Sequence, residues 1–319
     1  MPPDPRRWSA DKVVEAERPI PRFELIFPSR AAHLRYLARC QIPVSLKIAW
    51  AELLGRLDRW RSPEALAGAR QVNEPIIAGT EWESRAETVA RRRLVEDRVR
   101  EAGFWRAHWD RDPVAGLEHM HAALGQGRGV ILSFAHTGCM FGTFSPLWTE
   151  AGRITYIVSG DWFFERPDGS DWSFRVEHWR RGLAAAEGRI VPTGGSFDTV
   201  RALLERGDVV MLAFDMPGSM RMRFLGKDVA LASGAAVAAR ETDSLVLPVR
   251  RRRRGLALEV QFAPAFDPRQ FAGVEALQQA LLAHHERWIL ERPAALENPS
   301  RPGAWHGTAR ADSWERPPR

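Results

Sequence analysis

Residues 130–142 read Val-Ile-Leu-Ser-Phe-Ala-His-Thr-Gly-Cys-Met-Phe-Gly, and this stretch decides the fold. It lies in the longest segment of the chain without Asp, Glu, Lys or Arg, Gly129 to Thr149. The apolar run Val130 to Phe134 predicts a buried strand, and the residues after it predict a loop that enters a helix. A membrane-spanning helix needs about 20 mostly apolar residues, whereas this segment contains His136, Pro146 and several glycines. We therefore interpret it as part of the core of a soluble protein.

The alternation of strand and helix that begins here continues toward the C-terminus. β-Type runs occur at 129–134, 154–158, 209–214, 245–249 and 256–262. Helical stretches follow at 174–186, 196–206, 233–241 and 274–292. This alternation predicts an α/β fold with a mostly parallel central sheet flanked by helices. The last two β-type runs enclose a short Arg-rich turn, which predicts a hairpin at the edge of the sheet.

The residues before this region have a different pattern. From Ser29 to Trp60 apolar residues recur mostly every three or four positions, which predicts helices that Pro43 divides in two. Further helices are predicted at 83–104 and 113–124. The pattern divides the chain into a flexible arm at 1–28, a helical N-terminal extension at 29–112, an α/β domain at 113–295 and a Pro/Arg-rich tail at 296–319.

The composition limits the class of protein. The chain has 319 residues, of which 45% are hydrophobic and 27% charged, so it is neither disordered nor collagen-like. All but three of its 46 basic residues are arginine, and the net charge is +6. This surplus indicates either a coding bias or an anionic partner. Two cysteines and the absence of an apolar leader segment predict a reduced, cytoplasmic protein.

Two predicted strands end in residues that can carry chemistry. His136 follows the first strand, where an imidazole can serve as a general base near neutral pH. Asp215 follows the run 209–214 and precedes Pro217-Gly218. Cations then alternate with apolar residues, which predicts a strand or extended loop with one basic face, able to hold phosphate or carboxylate. These cations are Arg221, Arg223 and Lys227.

The order of these segments resembles the lysophospholipid acyltransferase superfamily and, within it, the bacterial lipid A biosynthesis acyltransferases. The resemblance begins at the strand that leads into Ala135-His136-Thr-Gly and covers roughly residues 115–295. It includes the helix–Gly–strand unit at 198–210, Asp215, the segment 224–234, Ala238-Ala-Arg-Glu-Thr and the strand Val246-Leu-Pro-Val. It implies that 113–295 is an acyltransferase-like domain.

The resemblance implies that His136 deprotonates the acceptor, helped by an acid five residues later. Phe141 stands at that position in this chain. We expect Asp215 to supply the missing carboxylate, with Asp161 as the second candidate. The comparison also places Arg180 or Arg181 where an Arg helps to hold the donor or acceptor.

Cys139 offers a different chemistry, since a thiol near a helix N-terminus can form a covalent acyl-enzyme. The alternative is a small buried residue. Cys139 and Phe141 are otherwise expected to line the substrate pocket. His284 and His285 are adjacent and do not share a helix face, so no metal site is expected there.

These expectations predict an acyltransferase that moves an acyl group from a thioester, acyl-CoA or acyl carrier protein, to a hydroxyl or amine. Neither donor is a permanently bound cofactor. The first alternative is aminoacyl transfer from an aminoacyl-tRNA to a small acceptor. The others are a catalytically inactive binding protein and a peripheral lipid acyltransferase. The last would reach the inner face of the membrane through Trp50, Trp60 and Arg59.

Overall fold

The computed structural model describes residues 20, 21, 23, 27, 29–106, 108, 112–138, 140, 142–164, 170–192 and 196–296, with backbone only for 59–61, 161, 162 and 171. In these ranges the helices are α1 (Arg30–Gln41), α2 (Val44–Arg61), α3 (Pro63–Ile77), α4 (Ala86–Phe104), α5 (Leu117–Leu124), α6 (Ser145–Ala151), α7 (Asp171–Ala185), α8 (Phe197–Glu205), α9 (Gly234–Thr242) and α10 (Val274–Glu291). Short 3-10 helices occur at Glu83–Arg85, Asp161–Phe164, Pro268–Gln270 and Pro293–Ala295. Most of the predicted arm and nearly all of the predicted tail lie outside the described residues. Of the arm, Ile20 is buried in the core and the Phe27 ring stacks on His33 at 4.4 Å, so these two residues pack against the protein.

The strands are β1 (Val114–Ala115), β2 (Val130–Phe134), β3 (Thr155–Ser159), β4 (Arg189–Pro192), β5 (Val209–Ala213), β6 (Pro217–Phe224), β7 (Lys227–Leu231), β8 (Leu245–Arg254) and β9 (Ala257–Phe262). Seven of them form one sheet in the order β1-β9-β8-β2-β5-β3-β4. All neighbours in this sheet are parallel except β8 and β9. The predicted α/β fold with a mostly parallel sheet is confirmed. Strands β6 and β7 form a separate antiparallel hairpin.

The central strand β2 separates two layers of core. Its residues Val130, Leu132 and Phe134 face one layer, which contains buried side chains of α5, α6 and α7. Ile131 faces the other layer, which contains side chains of α8, α9 and α10. Successive side chains of a strand point to opposite faces, so a strand covered on both sides is apolar throughout. This is why the run 130–134 carries no charge.

The structure corrects several sequence expectations. The helix predicted at 113–124 begins only at Leu117, because Val114 and Ala115 pair with β9. That pairing also means that the β8–β9 hairpin is not at the edge of the sheet. Helix α3 and strand β4 were not predicted. Strand β4 is short and has only two buried apolar residues, Ile190 and Val191, so its pattern is weak.

The prediction of an Arg-rich turn is also wrong, because Arg250 to Arg254 are the last five residues of strand β8. Each guanidinium has a carboxylate partner from a distant or facing element. Arg250 pairs with Glu291, Arg251 with Asp112, Arg253 with Glu52, and both Arg252 and Arg254 with Glu259. Arg251 is 2% exposed. The run is therefore neither a solvated turn nor a free basic patch.

The N-terminal helices begin and end where local chemistry dictates. Ser29 caps α1 by accepting a hydrogen bond from the Ala32 N–H, and Ser62 caps α3 in the same way. Pro43 separates α1 from α2, as predicted. Helices α2 and α4 approach closely at Gly55, where a Cβ atom would lie 2.6 Å from the Val95 Cα. In the described part of the chain, no helix combines the length and apolarity needed to cross a bilayer.

Candidate active site

The candidate site lies where β2 and β5, which are neighbours in the sheet, end together. Phe134 and Ala213 are the last register partners of the two strands. The Phe214 N–H still donates to the Phe134 carbonyl, at 3.1 Å. His136 and Asp215 each stand two residues beyond the last pair. Equal overhangs on adjacent parallel strands bring the two side chains to one point at the carboxyl edge, where ligands bind in open α/β sheets.

Asp215 holds His136 through two hydrogen bonds. Oδ2 accepts from the His136 backbone N–H at 2.8 Å, and Oδ1 lies 2.8 Å from Nδ1 of the imidazole. The Asp215 side chain is 5% exposed and that of His136 is 28% exposed. Because a carboxylate oxygen accepts, Nδ1 carries the hydrogen and Nε2 is left with its lone pair. The expected contact between the two residues is confirmed, and the arrangement suits an imidazole that takes up a proton.

The loop after His136 is fixed by its own backbone hydrogen bonds. The Thr137 N–H donates to the Ala135 carbonyl at 2.8 Å, and the Gly138 N–H donates to the Ala295 carbonyl at 2.7 Å. Gly138 has φ +58°, in the left-handed region that favours glycine. The His136 N–H is bound to Asp215, so three successive backbone N–H groups already have acceptors. They are therefore not free to bind an anion together.

Apolar side chains cover the face of the sheet toward which His136 points. The Phe134 ring centroid is 5.3 Å from that of the imidazole. The same core layer contains Met140 and Phe163, and Trp179 packs against it with its ring 4.5 Å from that of Phe163. A half-exposed imidazole beside an apolar layer is a suitable environment for a reaction on an acyl group.

The other predicted site residues lie on α7 or the β6–β7 hairpin, or have side chains outside the described residues. Arg221 and Arg223 are exposed on β6, opposite the buried Met222 and Phe224, so the predicted basic face exists. Arg223 is 3.5 Å from Asp228, and the Lys227 Nζ donates to the Pro75 carbonyl at 2.8 Å. Sequence analysis had identified these cations but not their partners.

Arg181 lies on α7 and is 3.2 Å from Glu177, which is fully buried and also contacts Arg180. Asp161 begins the 3-10 helix Asp161–Phe164, but its side chain lies outside the described residues, as do Cys139 and Phe141. The side chains of Arg59 and Trp60 are outside them too. Within the described ranges no three His, Cys, Asp or Glu residues are grouped to hold a metal ion.

Two buried histidines near the site were not singled out by sequence reasoning for a structural role. His285 of α10 contacts the Ser133 hydroxyl at 3.0 Å and stacks on Phe214, on the opposite face of β2 and β5 from His136. Burial, with smaller contributions from His284 and Arg250, places the pKa of His285 well below its usual value. Its partners lie within three residues of His136 and Asp215 in sequence, yet only the fold brings them to His285.

His178 of α7 joins the N-terminal helices to the α/β region. Its Nε2–H donates to the Phe104 carbonyl at 2.9 Å, and its Nδ1 accepts from the Tyr36 hydroxyl at 3.1 Å. Burial lowers the pKa of His178 to about 4. The imidazole is therefore neutral at physiological pH and acts as a fixed hydrogen-bonding link.

Comparison with known proteins assigns the chain to a family. The family model described as bacterial lipid A biosynthesis acyltransferase matches residues 24–296. Among solved structures, the chain is similar to the 1-acyl-sn-glycerophosphate (LPA) acyltransferase PlsC from Thermotoga maritima, with 14% sequence identity and a TM-score of 0.37. That similarity covers 83% of this chain and 99% of that chain, and it is too slight to support an argument. Comparison with curated proteins found no match.

Proposed function

Because the chain belongs to the bacterial lipid A biosynthesis acyltransferase family and is an acyltransferase, we propose that His136 is its general base and that Asp215 positions this base. The observation that carries the proposal is the two-point contact of the Asp215 carboxylate with the backbone and imidazole of His136. One carboxylate thereby sets the rotation of the ring and the hydrogen on Nδ1. This is the division of labour between histidine and acid in other base-assisted acyl transfers.

The proposed step is direct transfer of the acyl group. Nε2 of His136 removes the proton from the hydroxyl or amine of the acceptor while that atom attacks the carbonyl carbon of the thioester. The carbon–sulfur bond then breaks, and the imidazolium returns the proton to the departing sulfur. No acyl-enzyme on Cys139 is needed in this sequence of steps.

Asp215 takes the place of the acid that the resemblance leads one to expect five residues after the histidine. Phe141 occupies that position in the sequence. An acid on a neighbouring strand reaches Nδ1 as well as one on the same loop, because adjacent parallel strands end side by side. The presence of this carboxylate supports catalysis over the alternative of an inactive binding protein.

For the donor, we rank thioesters of coenzyme A or of acyl carrier protein first and aminoacyl-tRNA second. Transfer RNA needs a broad basic face that contacts several phosphates. The arginines of β8 are all paired with carboxylates, and Arg223 and Lys227 already have partners. Arg221 forms no ion pair with any residue that the structure describes, and one such cation suits a compact phosphate group.

The test is to incubate the protein with a panel of hydroxyl and amine acceptors and one donor at a time: acyl-CoA, acyl carrier protein or a charged tRNA mixture. We expect acyl product and free thiol from a thioester, with no effect of ribonuclease. Product that forms only with charged tRNA and disappears with ribonuclease would overturn the ranking. Equal product from wild type and His136→Ala with every donor would overturn the proposed base.

A second candidate function, acyl transfer to a lipid at the inner face of a membrane, is favoured by the surface of α1 and α2. Six of the eleven large apolar side chains that the described part of the chain exposes lie there. They are Leu34, Leu37, Ile42, Leu46, Trp50 and Leu53. Residues 29–51 contain four Lys or Arg and no Asp or Glu. An apolar helical face bordered by cations suits an anionic bilayer surface.

Vesicle binding tests this candidate. We expect sedimentation with vesicles of phosphatidylglycerol and phosphatidylcholine, weaker binding to phosphatidylcholine alone, and loss of binding in Leu46→Ser/Trp50→Ser. Phe197→Ser is the control, because Phe197 is a large, exposed apolar side chain at the start of α8, a helix that packs against α9 and β5. Binding that is the same for the double variant and the control would leave a water-soluble acceptor as the remaining choice.

A further inference from the structure

The loop that follows His136 is held by a segment from the other end of the chain. Thr137 and Leu296 form an antiparallel bridge, and the Gly138 N–H donates to the Ala295 carbonyl at 2.7 Å. Ala135, which precedes His136, belongs to the same buried cluster as Ala294 and Leu296. The two residues that follow His136 therefore contact the segment 292–296, and the residue that precedes it shares an apolar cluster with that segment.

This segment is in turn held by one face of α4, in the N-terminal helical region. The Arg93 guanidinium donates to the Leu296 carbonyl and lies 3.5 Å from that of Ala294. One turn later along α4, Glu96 pairs with Arg292 at 2.7 Å. Arg93 and Glu96 are both about 5% exposed. Hydrogen bonds to a buried charge are among the stronger ones in proteins, so the two contacts fix the segment at both ends.

We propose that Arg93 is a positioning residue for His136 and acts through the segment 292–296. The proposal rests on the proposed function, in which His136 is the base. It makes α4, which precedes the catalytic strand by more than 25 residues, a part of the catalytic apparatus. Asp215 orients the imidazole from one side, and the clamp of Arg93 fixes the backbone on which that imidazole stands.

The experiment compares Arg93→Gln with Arg91→Gln. The control makes the same charge change on the same helix, but Arg91 is exposed, and among the residues that the structure describes its ion-pair partner is Glu87 of its own helix. Hydrogen exchange followed by mass spectrometry reports on peptides that cover 134–144 without any need for activity. In Arg93→Gln we expect these amides to exchange at least about tenfold faster than in the control.

Turnover is measured in the same pair of variants. We expect kcat of Arg93→Gln to fall roughly tenfold, with KM for the donor within about twofold, because misplacement of the base affects the chemical step. Arg93→Lys keeps a cationic donor for the two carbonyls and should recover most of kcat and of the exchange protection. A smaller folded fraction would also lower apparent kcat at constant KM, so kcat is calculated per folded molecule, with the folded fraction taken from urea denaturation of the same preparation.

If the amides of 134–144 exchanged at the same rate in Arg93→Gln and Arg91→Gln, the proposal that Arg93 fixes this loop would be refuted. Faster exchange with kcat equal to that of Arg91→Gln would overturn the positioning role. Full activity in His136→Ala would refute the proposed function instead, while the exchange result would still report on the clamp. Should Arg93→Gln not fold, Glu96→Gln releases the other end of the segment, and the same two readouts decide in the same way.

Discussion

Two histidines lie on opposite faces of the same pair of strands, and the contrast between them shows what makes an imidazole useful. His136 is partly exposed and bound to a carboxylate, whereas His285 is buried against Ser133 and Phe214. A carboxylate stabilises the charged imidazolium, so His136 can gain and lose a proton. A hydroxyl and an aromatic ring in a dry environment keep His285 neutral. Both histidines contact β2, so position in the fold does not distinguish them. The hydrogen-bond partner of each imidazole and its exposure to solvent do.

The largest effect is expected from His136→Ala. Removal of the base should lower kcat by about 10²–10⁴-fold. The protein should still fold, with the free energy of unfolding lower by about 1–3 kcal/mol, because the buried Asp215 carboxylate loses its imidazole partner. Steady-state kinetics and urea denaturation of the same preparation measure both quantities. Cys139→Ala run alongside should be fully active, and loss of activity there would reopen the covalent mechanism.

Asp215→Asn is expected to have the next largest effect. An amide keeps the shape but not the charge, and it no longer sets the hydrogen on Nδ1. We expect kcat to fall on the order of 10²-fold, and the acid limb of the kcat–pH profile to move to lower pH because the imidazolium loses its carboxylate partner. A lower kcat with an unshifted profile would mean that Asp215 only maintains the loop.

The pair Asp215–His136 could be predicted from sequence because both strands are continuous apolar runs with a polar residue at the same distance from their ends. The hydrogen bonds from Arg93 to the carbonyls of residues 294 and 296 could not be predicted, because they join positions about 200 residues apart that share no sequence pattern. The arginines of β8 were misread for a similar reason. A run of like charges is typical of a solvated surface, and their partners, among them Glu52 and Asp112, are distant in sequence.

His285→Leu should affect stability rather than turnover. It leaves the buried Ser133 hydroxyl without its partner, which costs about 1–3 kcal/mol of unfolding free energy. The kcat of the folded fraction should stay within about threefold of wild type. The double variant Ser133→Ala/His285→Leu removes both polar groups and should recover part of the loss. If kcat of His285→Leu fell as far as that of Asp215→Asn, His285 would have a role in turnover, and the proposed difference between the two faces of the sheet would be refuted.

The last prediction concerns the pH dependence of stability, which leaves turnover at neutral pH untouched. The pKa of His178 is about 4 in the folded protein and near 6.5 in the unfolded chain. Between these values only the unfolded chain takes up the proton, so the stability that this residue contributes is present above pH 6.5 and is lost as the pH falls toward 4. In His178→Gln, the slope of the free energy of unfolding against pH should be smaller by up to about 1.4 kcal/mol per pH unit. Urea denaturation at pH 4.5 to 7.5 measures it, and an unaltered slope would show that His178 titrates normally.

His136 and Asp215 follow the ends of β2 and β5 at the same distance, and this restricts where insertions and deletions can occur in the chain. One residue inserted into or deleted from either strand would turn every later side chain of that strand to the opposite face. His136 or Asp215 would then point toward the layer that now contains His285, and the pair would be separated. Strands β3 and β4, which lie between them in the chain and pair in the same sheet, are under the same restriction. Natural variants should therefore vary in length mainly in the loops that connect these elements.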